Sequence, residues 1–302
     1  MPLANSLCFA QVKGGVGKTS ITTNVAGLSA AAGLRVLVVD LDPQGNCAQD
    51  LGYPRDDGAE TRDALLEGAG PSVLRDVRPG LDVIPGGGAL GKPFFDALLA
   101  NPEVVGELAP RLEIMISGAG DYDLIVIDTP PGYTPLNDAV LSIVTTVLAP
   151  VRLDTSSINA TDDLAERFST ARELNPYLQL AGAVLFGVPV NAHRLEGTAR
   201  EQLIEQLGTD TLVLRTTIRQ AIAAANEGRR LGRLAFEVDE ISEGARVARF
   251  AALRGNLDGS DIVNANRFIS NAGALADDYH NLTAEVLSFM RAQSAEFDKA
   301  SA

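Results

Sequence analysis

The chain has 302 residues and a formal net charge of −14. That length accommodates one large α/β domain or two small ones, and the acidic balance excludes a protein coated in basic surface, so any DNA contact has to come from a local patch. Two cysteines, Cys8 and Cys47, exclude a disulfide framework and fit a reducing cytoplasm.

The first residues, Met1-Pro2-Leu3-Ala4-Asn5, have neither the charged start nor the long apolar run of a signal peptide. Leu7-Cys8-Phe9-Ala10 reads as a strand and Ile21 to Ala32 as a helix. Between them lies Val12-Lys13-Gly14-Gly15-Val16-Gly17-Lys18-Thr19-Ser20. Glycines in such a loop let consecutive amides turn inward around phosphate oxygens, and the following helix adds partial positive charge. Lys18 would reach the β- and γ-phosphates, and the Thr19 hydroxyl would ligate Mg²⁺. The common pattern carries glycine where this chain has Val12, and a second lysine, Lys13, stands at the loop entrance.

Gly33 is placed to end the helix, and Leu34 to Val39 forms an apolar strand that runs into Asp40-Leu41-Asp42-Pro43-Gln44-Gly45-Asn46. Continuous aliphatic strands alternating with helices predict a mostly parallel sheet covered on both faces. Segment 50–78 is polar, with a helix around Thr61–Leu66. Leu81 to Ile84 is a short strand, and Pro85-Gly86-Gly87-Gly88 reads as a flexible connector without chemistry. Helical material follows from Pro93 to Ile116, broken near Asn101-Pro102. Leu124-Ile125-Val126-Ile127-Asp128 then places a carboxylate at the C-terminal end of a buried strand, where open α/β sheets bind ligands. Ile143–Val151 and Leu180–Phe186 are further strands, with Thr211–Leu214 a last one. Ala160–Leu174 and Leu195–Leu207 are helices, the second with Leu195, Ala199, Leu203 and Leu207 on one face.

After Arg215 the character changes. Arg215, Arg219, Arg229, Arg230 and Arg233 cluster with Glu227 as the one acid among them. Residues 236–272 are mixed, and Arg246, Arg249, Arg254 and Arg267 form a second, looser basic group there. Leu275, Tyr279, Leu282, Val286 and Met290 recur at helical spacing and predict an amphipathic helix over 274–292. No apolar run approaches ~18 residues, so no spanning helix is expected. His193 and His280 have no neighbouring ligands, and no metal role is expected of them.

Three segments together, the Lys13–Ser20 loop, Asp40–Asn46, and Leu124–Asp128 with Thr129-Pro130-Pro131-Gly132, resemble the ParA branch of the deviant Walker A (ParA/MinD) ATPases. The Asp-Pro-Gln triplet favours ParA over MinD. The resemblance spans roughly residues 6–233 and the closing helix. It implies a single P-loop NTPase domain over residues 1–302, of α/β class, with a mostly parallel sheet flanked by helices. It implies ATP and Mg²⁺ as ligands, bound by Lys13, Gly14, Gly15, Val16, Gly17, Lys18, Thr19 and Ser20. Thr19, Asp40 and Asp128 would form the metal site. Lys13, Lys18 and Asp42 would be catalytic, Lys13 by reaching across a homodimer to the partner's nucleotide and Asp42 by positioning water. Phosphoryl transfer is mostly positioning plus charge neutralisation, so these residue types suffice.

The resemblance further implies non-specific DNA binding in the ATP state through Arg219, Arg229, Arg230 and Arg233. It implies a stimulating partner, ParB-like or a cargo adaptor, and a cytoplasmic, nucleoid-associated protein. A MinD-like membrane switch is the alternative, and it needs a basic amphipathic C-terminal helix. Met290 to Lys299 is instead mixed in charge. An iron–sulfur carrier of the same superfamily needs clustered cysteines, which this chain lacks. A nucleotide-gated module without hydrolysis is disfavoured by Asp42.

Overall fold

The computed structural model describes residues 2–132, 134–253, 269 and 271–301. Among them, eight strands form one sheet: β1 (Leu3–Phe9), β2 (Val36–Asp40), β3 (Leu74–Arg78), β4 (Leu81–Ile84), β5 (Leu124–Asp128), β6 (Val144–Val151), β7 (Gln179–Val188) and β8 (Val213–Arg219). Their order is β3-β4-β2-β5-β1-β6-β7-β8. Every neighbouring pair is parallel except β3 with β4. The expected α/β class and mostly parallel sheet are therefore observed.

Alternation along the central strands explains why both faces are covered. Leu7 and Phe9 of β1, Val36 and Val38 of β2, and Leu124 and Val126 of β5 share one core. Cys8, Leu37, Val39, Ile125 and Ile127 point into the other. The first core is closed by α1 (Lys18–Ala31) and by the last helix, α11 (Ala272–Ser301). Leu275, Tyr279, Leu282, Val286 and Met290 of α11 are all buried there, as their spacing predicts. The second core packs under α3 (Ala59–Glu67), α4 (Lys92–Ala100), α5 (Glu103–Gly118) and α6 (Pro135–Ile143). A third, smaller core lies between β6, β7, α7 (Thr155–Leu174) and α8 (His193–Leu207).

Several elements depart from the sequence expectation. The β3 strand has only two apolar residues in Leu74–Arg78, too few to signal an edge strand. Helix α6 begins with a Thr134 cap, whose side chain accepts from the Asn137 amide, followed by Pro135. Helix α7 starts at Thr155 rather than Ala160 because Asp154 caps it, accepting from the Ser157 amide. Three further helices carry short or mixed patterns: α2 (Cys47–Leu51), α9 (Ile222–Leu231) and α10 (Ala235–Leu253). Residues 254–268, including Arg254 and Arg267, lie outside the described residues, as do the side chains of Arg246 and Arg249.

The Pro85–Gly88 turn is not a loose connector. Pro85, Gly86 and Gly87 are buried, and a β-carbon at Gly86 would collide with the Asp40 carbonyl. The glycines let this turn pack directly beneath the end of β2.

Candidate functional site

The sheet brings three strand ends together at its centre. β1 lies between β5 and β6, β5 pairs with β2, and in register Asp128 stands opposite both Phe9 and Asp40. The chain leaving β1 therefore enters its glycine loop beside two carboxylates.

That loop adopts the geometry its residues predict. Gly15 and Gly17 have φ of 73° and 92°, left-handed values that glycine adopts without a Cβ penalty. Gly17 is doubly required, because the Phe186 ring occupies the space a β-carbon would take. Val16 is fully buried and anchors the loop. Gly14 packs on Pro131, and the Gly132 amide donates to the Val12 carbonyl at 2.8 Å. The loop is thus held against the Thr129–Gly132 segment.

Lys18 opens α1, is buried, and donates to the Gln11 carbonyl at 3.0 Å. Burial lowers its pKa, against the opposing fields of Asp128 and Asp42. Thr19 Oγ1 donates to Asp128 Oδ2 at 2.6 Å, and Thr22 Oγ1 lies 3.5 Å from Asp128 Oδ1. Asp40 accepts from the Asp42 amide at 3.0 Å and the Cys47 amide at 3.3 Å. Asp42 accepts from the Gln44 amide at 2.8 Å, which shapes the turn. Ser20 follows Thr19 on α1 and receives a hydrogen bond from Arg229.

Asp40, Asp42 and Asp128 are all buried beside one buried ammonium. Desolvation raises all three carboxyl pKa values, taking Asp40 to about 7. Charge repulsion adds to this, with Asp42 raising Asp40, and Asp40 and Asp42 raising Asp128. Such an excess of buried negative charge suits a divalent cation, and the Thr19 hydroxyl with carboxylate oxygens is the hard donor set that Mg²⁺ prefers. Cys47 Sγ also lies 3.7 Å from Asp128 Oδ2. Its thiol is fully buried, and burial pushes its pKa up, so it stands there as a neutral donor.

Lys13 does not point at this cluster. It is salt-bridged to Asp154 and donates to Ser156 Oγ at 2.6 Å. Sequence reasoning missed both partners, although Asp154 followed by Thr155-Ser156-Ser157 is a legible helix cap.

The four arginines expected to form one basic surface are each matched with an acid. Arg219 lies on β8 and makes two 2.7 Å hydrogen bonds to the Asp278 carboxylate. Arg229 donates to buried Asp50 at 3.1 Å. These two are tied inward. Arg230 pairs with Glu227 on its own helix, and Arg233 lies 3.5 Å from Glu237, their side chains 66% and 54% exposed. Arg230 and Arg233 are the most exposed of the four, with the Arg229 side chain 46% and the Arg219 side chain 34% exposed.

A family profile described as an AAA domain matches residues 4–180. The chromosome partitioning protein ParA of Caulobacter vibrioides is 35% identical over 191 residues, covering 59% of this chain and 68% of that protein. An ATP complex of a McdA variant from Cyanothece superposes with a TM-score of 0.67 over 79% of this chain and 91% of that one, a likeness of fold at 19% identity. A structure described as cobyrinic acid a,c-diamide synthase from Mycobacterium smegmatis, with bound ADP and magnesium, gives a TM-score of 0.61 at 26% identity. That match covers 76% of this chain and 93% of the other.

Proposed function

The chain belongs to the ParA/MinD family of deviant Walker A ATPases, and on that premise we propose that it is an ATP-driven dimer that binds DNA and partitions or positions a DNA or other cargo. One observation carries the nucleotide reading. Lys18, Thr19, Asp40, Asp42 and Asp128 converge at three adjacent strand ends, beside a loop with two left-handed glycines.

In this reading Gly14 to Ser20 cradle the phosphates and Lys18 neutralises them. Its place in the site argues the same way, since a buried ammonium beside carboxylates is poised to exchange the Gln11 carbonyl for a phosphate oxygen. Thr19, Asp128 and Asp40 would hold Mg²⁺, which when bound would supply neutralisation of the phosphate charge. Asp42 orients the attacking water and accepts its proton at a carboxylate oxygen. Lys13 leaves Asp154 to reach the partner's nucleotide, so closure and hydrolysis are joined.

Arg230 and Arg233 contact DNA phosphates without reading bases. A ParB-like protein or cargo adaptor stimulates turnover. The place of action is the cytoplasm, on the nucleoid. Among the described residues no helix is long and apolar enough to cross a membrane. The mixed charge of the closing helix also favours DNA over a lipid surface.

Turnover of ATP with Mg²⁺ tests the site assignment. Lys18→Ala removes a charged contact and should weaken ATP affinity by about tenfold or more. Asp42→Ala should keep ATP binding and slow hydrolysis by about a hundredfold. Wild-type affinity in the first variant, or wild-type turnover in the second, contradicts the assigned roles.

A further inference from the structure

The loop that carries Asp42 runs straight into α2, and α2 is fastened to α9 at two places. At the first, Asp50 of α2 is buried and accepts from Arg229 Nε at 3.1 Å and from Thr23 Oγ1 at 3.3 Å. The same guanidinium donates to Ser20 Oγ at 3.2 Å. One side chain from α9 therefore spans the first turn of α1, next to Thr19, and the helix that continues the Asp42 loop.

At the second place, Gly52 and Gly232, the left-handed residues that end α2 and α9, touch through their backbones. A β-carbon on either would collide with the other. Arg78 secures the same corner by donating to the Leu51 carbonyl at 2.5 Å and to the Gly232 carbonyl at 3.0 Å.

We propose that Arg229 is a positioning residue for the nucleotide site rather than a DNA contact: through Asp50 and Ser20 it holds α1 and α2 in the relation that sets Asp42 against the phosphate loop. A buried carboxylate is retained only where a cation and hydrogen bonds satisfy it, and Arg229 is the cation that Asp50 faces. The inference rests on the nucleotide-site reading above and adds a consequence to it. Because α2 and α9 are joined at both places, a shift of the Asp42 loop carries Arg230, the next residue, with it. Coupling between two sites needs such an element, whose position both can bias.

The test uses the full chain, with single-turnover ATP hydrolysis, ATP affinity by a fluorescent analogue, and thermal melting. Arg229→Gln and Asp50→Asn should each lower the hydrolysis rate by about fivefold or more while ATP affinity stays within about threefold. The double variant, which leaves no unpaired buried charge and serves as the folded reference, should lose no more than the worse single one. Arg229→Lys keeps a cation beside Asp50 and should recover about half of the lost rate. A wild-type rate in Arg229→Gln with only DNA binding reduced would make Arg229 a DNA contact and overturn the proposal. Multiplying losses in the double variant would overturn it as well, since the two residues would then act independently. Failure of the wild-type protein to bind ATP would instead remove the nucleotide-site reading, and this inference with it.

Discussion

Lys13 is held within its own chain by Asp154, a residue 141 positions later that also caps α7. The lysine's hydrogen bond and those of Ser156 and Ser157 keep the Asp154 carboxyl well below the usual carboxylate range, despite some opposing desolvation. The Asp154 carboxylate therefore stays ionised at neutral pH. Its stabilisation is present above the unfolded value of about 4 and is lost only as pH falls through the depressed folded value. If Lys13 reaches across a dimer, each protomer gives up this contact on closing.

A partly exposed pair of this kind contributes about 0.2–1 kcal/mol, and two are broken per dimer. Asp154→Asn keeps a good helix cap and removes the charge, so it should tighten ATP-driven dimerisation roughly two- to thirtyfold. Lys13→Ala should bind ATP and remain monomeric. Sedimentation in ATP at graded protein concentration reads both. Unchanged dimerisation in both variants would leave Lys13 a loop residue without a role in closure.

The α9–α10 corner depends on a second, less exposed pair. Glu237 accepts from Arg78 at 2.9 and 2.8 Å and from the Leu234 amide at 2.7 Å. Burial works to raise the Glu237 pKa, but the Arg78 and Leu234 hydrogen bonds with the field of Arg233 overcome it, and the net shift is downward. A depressed folded value means stability that is present above the unfolded value of about 4.3 and lost as pH falls through the folded one. Glu237→Ala strands the Arg78 charge and should cost about 3 kcal/mol near neutral pH. Denaturant titrations should show the gap to wild type narrowing below about pH 4. A gap independent of pH would mean that packing, not the ion pair, holds the corner.

The basic surface makes a separate prediction. Arg230 and Arg233 are the most exposed arginines of the expected group, and phosphate contacts are sequence-blind and salt-dependent. Arg230→Glu with Arg233→Glu should abolish DNA binding while ATP turnover without DNA stays within about twofold of wild type. Fluorescence anisotropy on two unrelated duplexes across a salt series measures this. Wild-type DNA affinity in the double variant would place the contact elsewhere on the chain.

Much of the fold and the phosphate loop was legible in the sequence, because both rest on local patterns. Buried strands such as Leu124–Asp128 announce themselves by continuous aliphatics, and the Lys13–Ser20 loop by its glycines. What was not legible depends on distant partners. Asp154 meets Lys13, Asp50 meets Arg229, and Asp278 meets Arg219 only after the sheet has been assembled. Arginine spacing alone therefore read as one surface a group whose members the fold ties to four different acids. The Pro85–Gly88 turn misled for a related reason. Glycines that permit flexibility also permit close packing, and here the Asp40 backbone lies against them.

The central claim is that ATP switches this chain into a DNA-binding state. Co-sedimentation of the wild-type protein with a long duplex, in parallel without nucleotide, with ADP and with ATP and Mg²⁺, tests it most directly. The account predicts that the protein pellets with DNA in the ATP sample and stays in the supernatant in the other two. Equal pelleting in all three, or none in any, would contradict it.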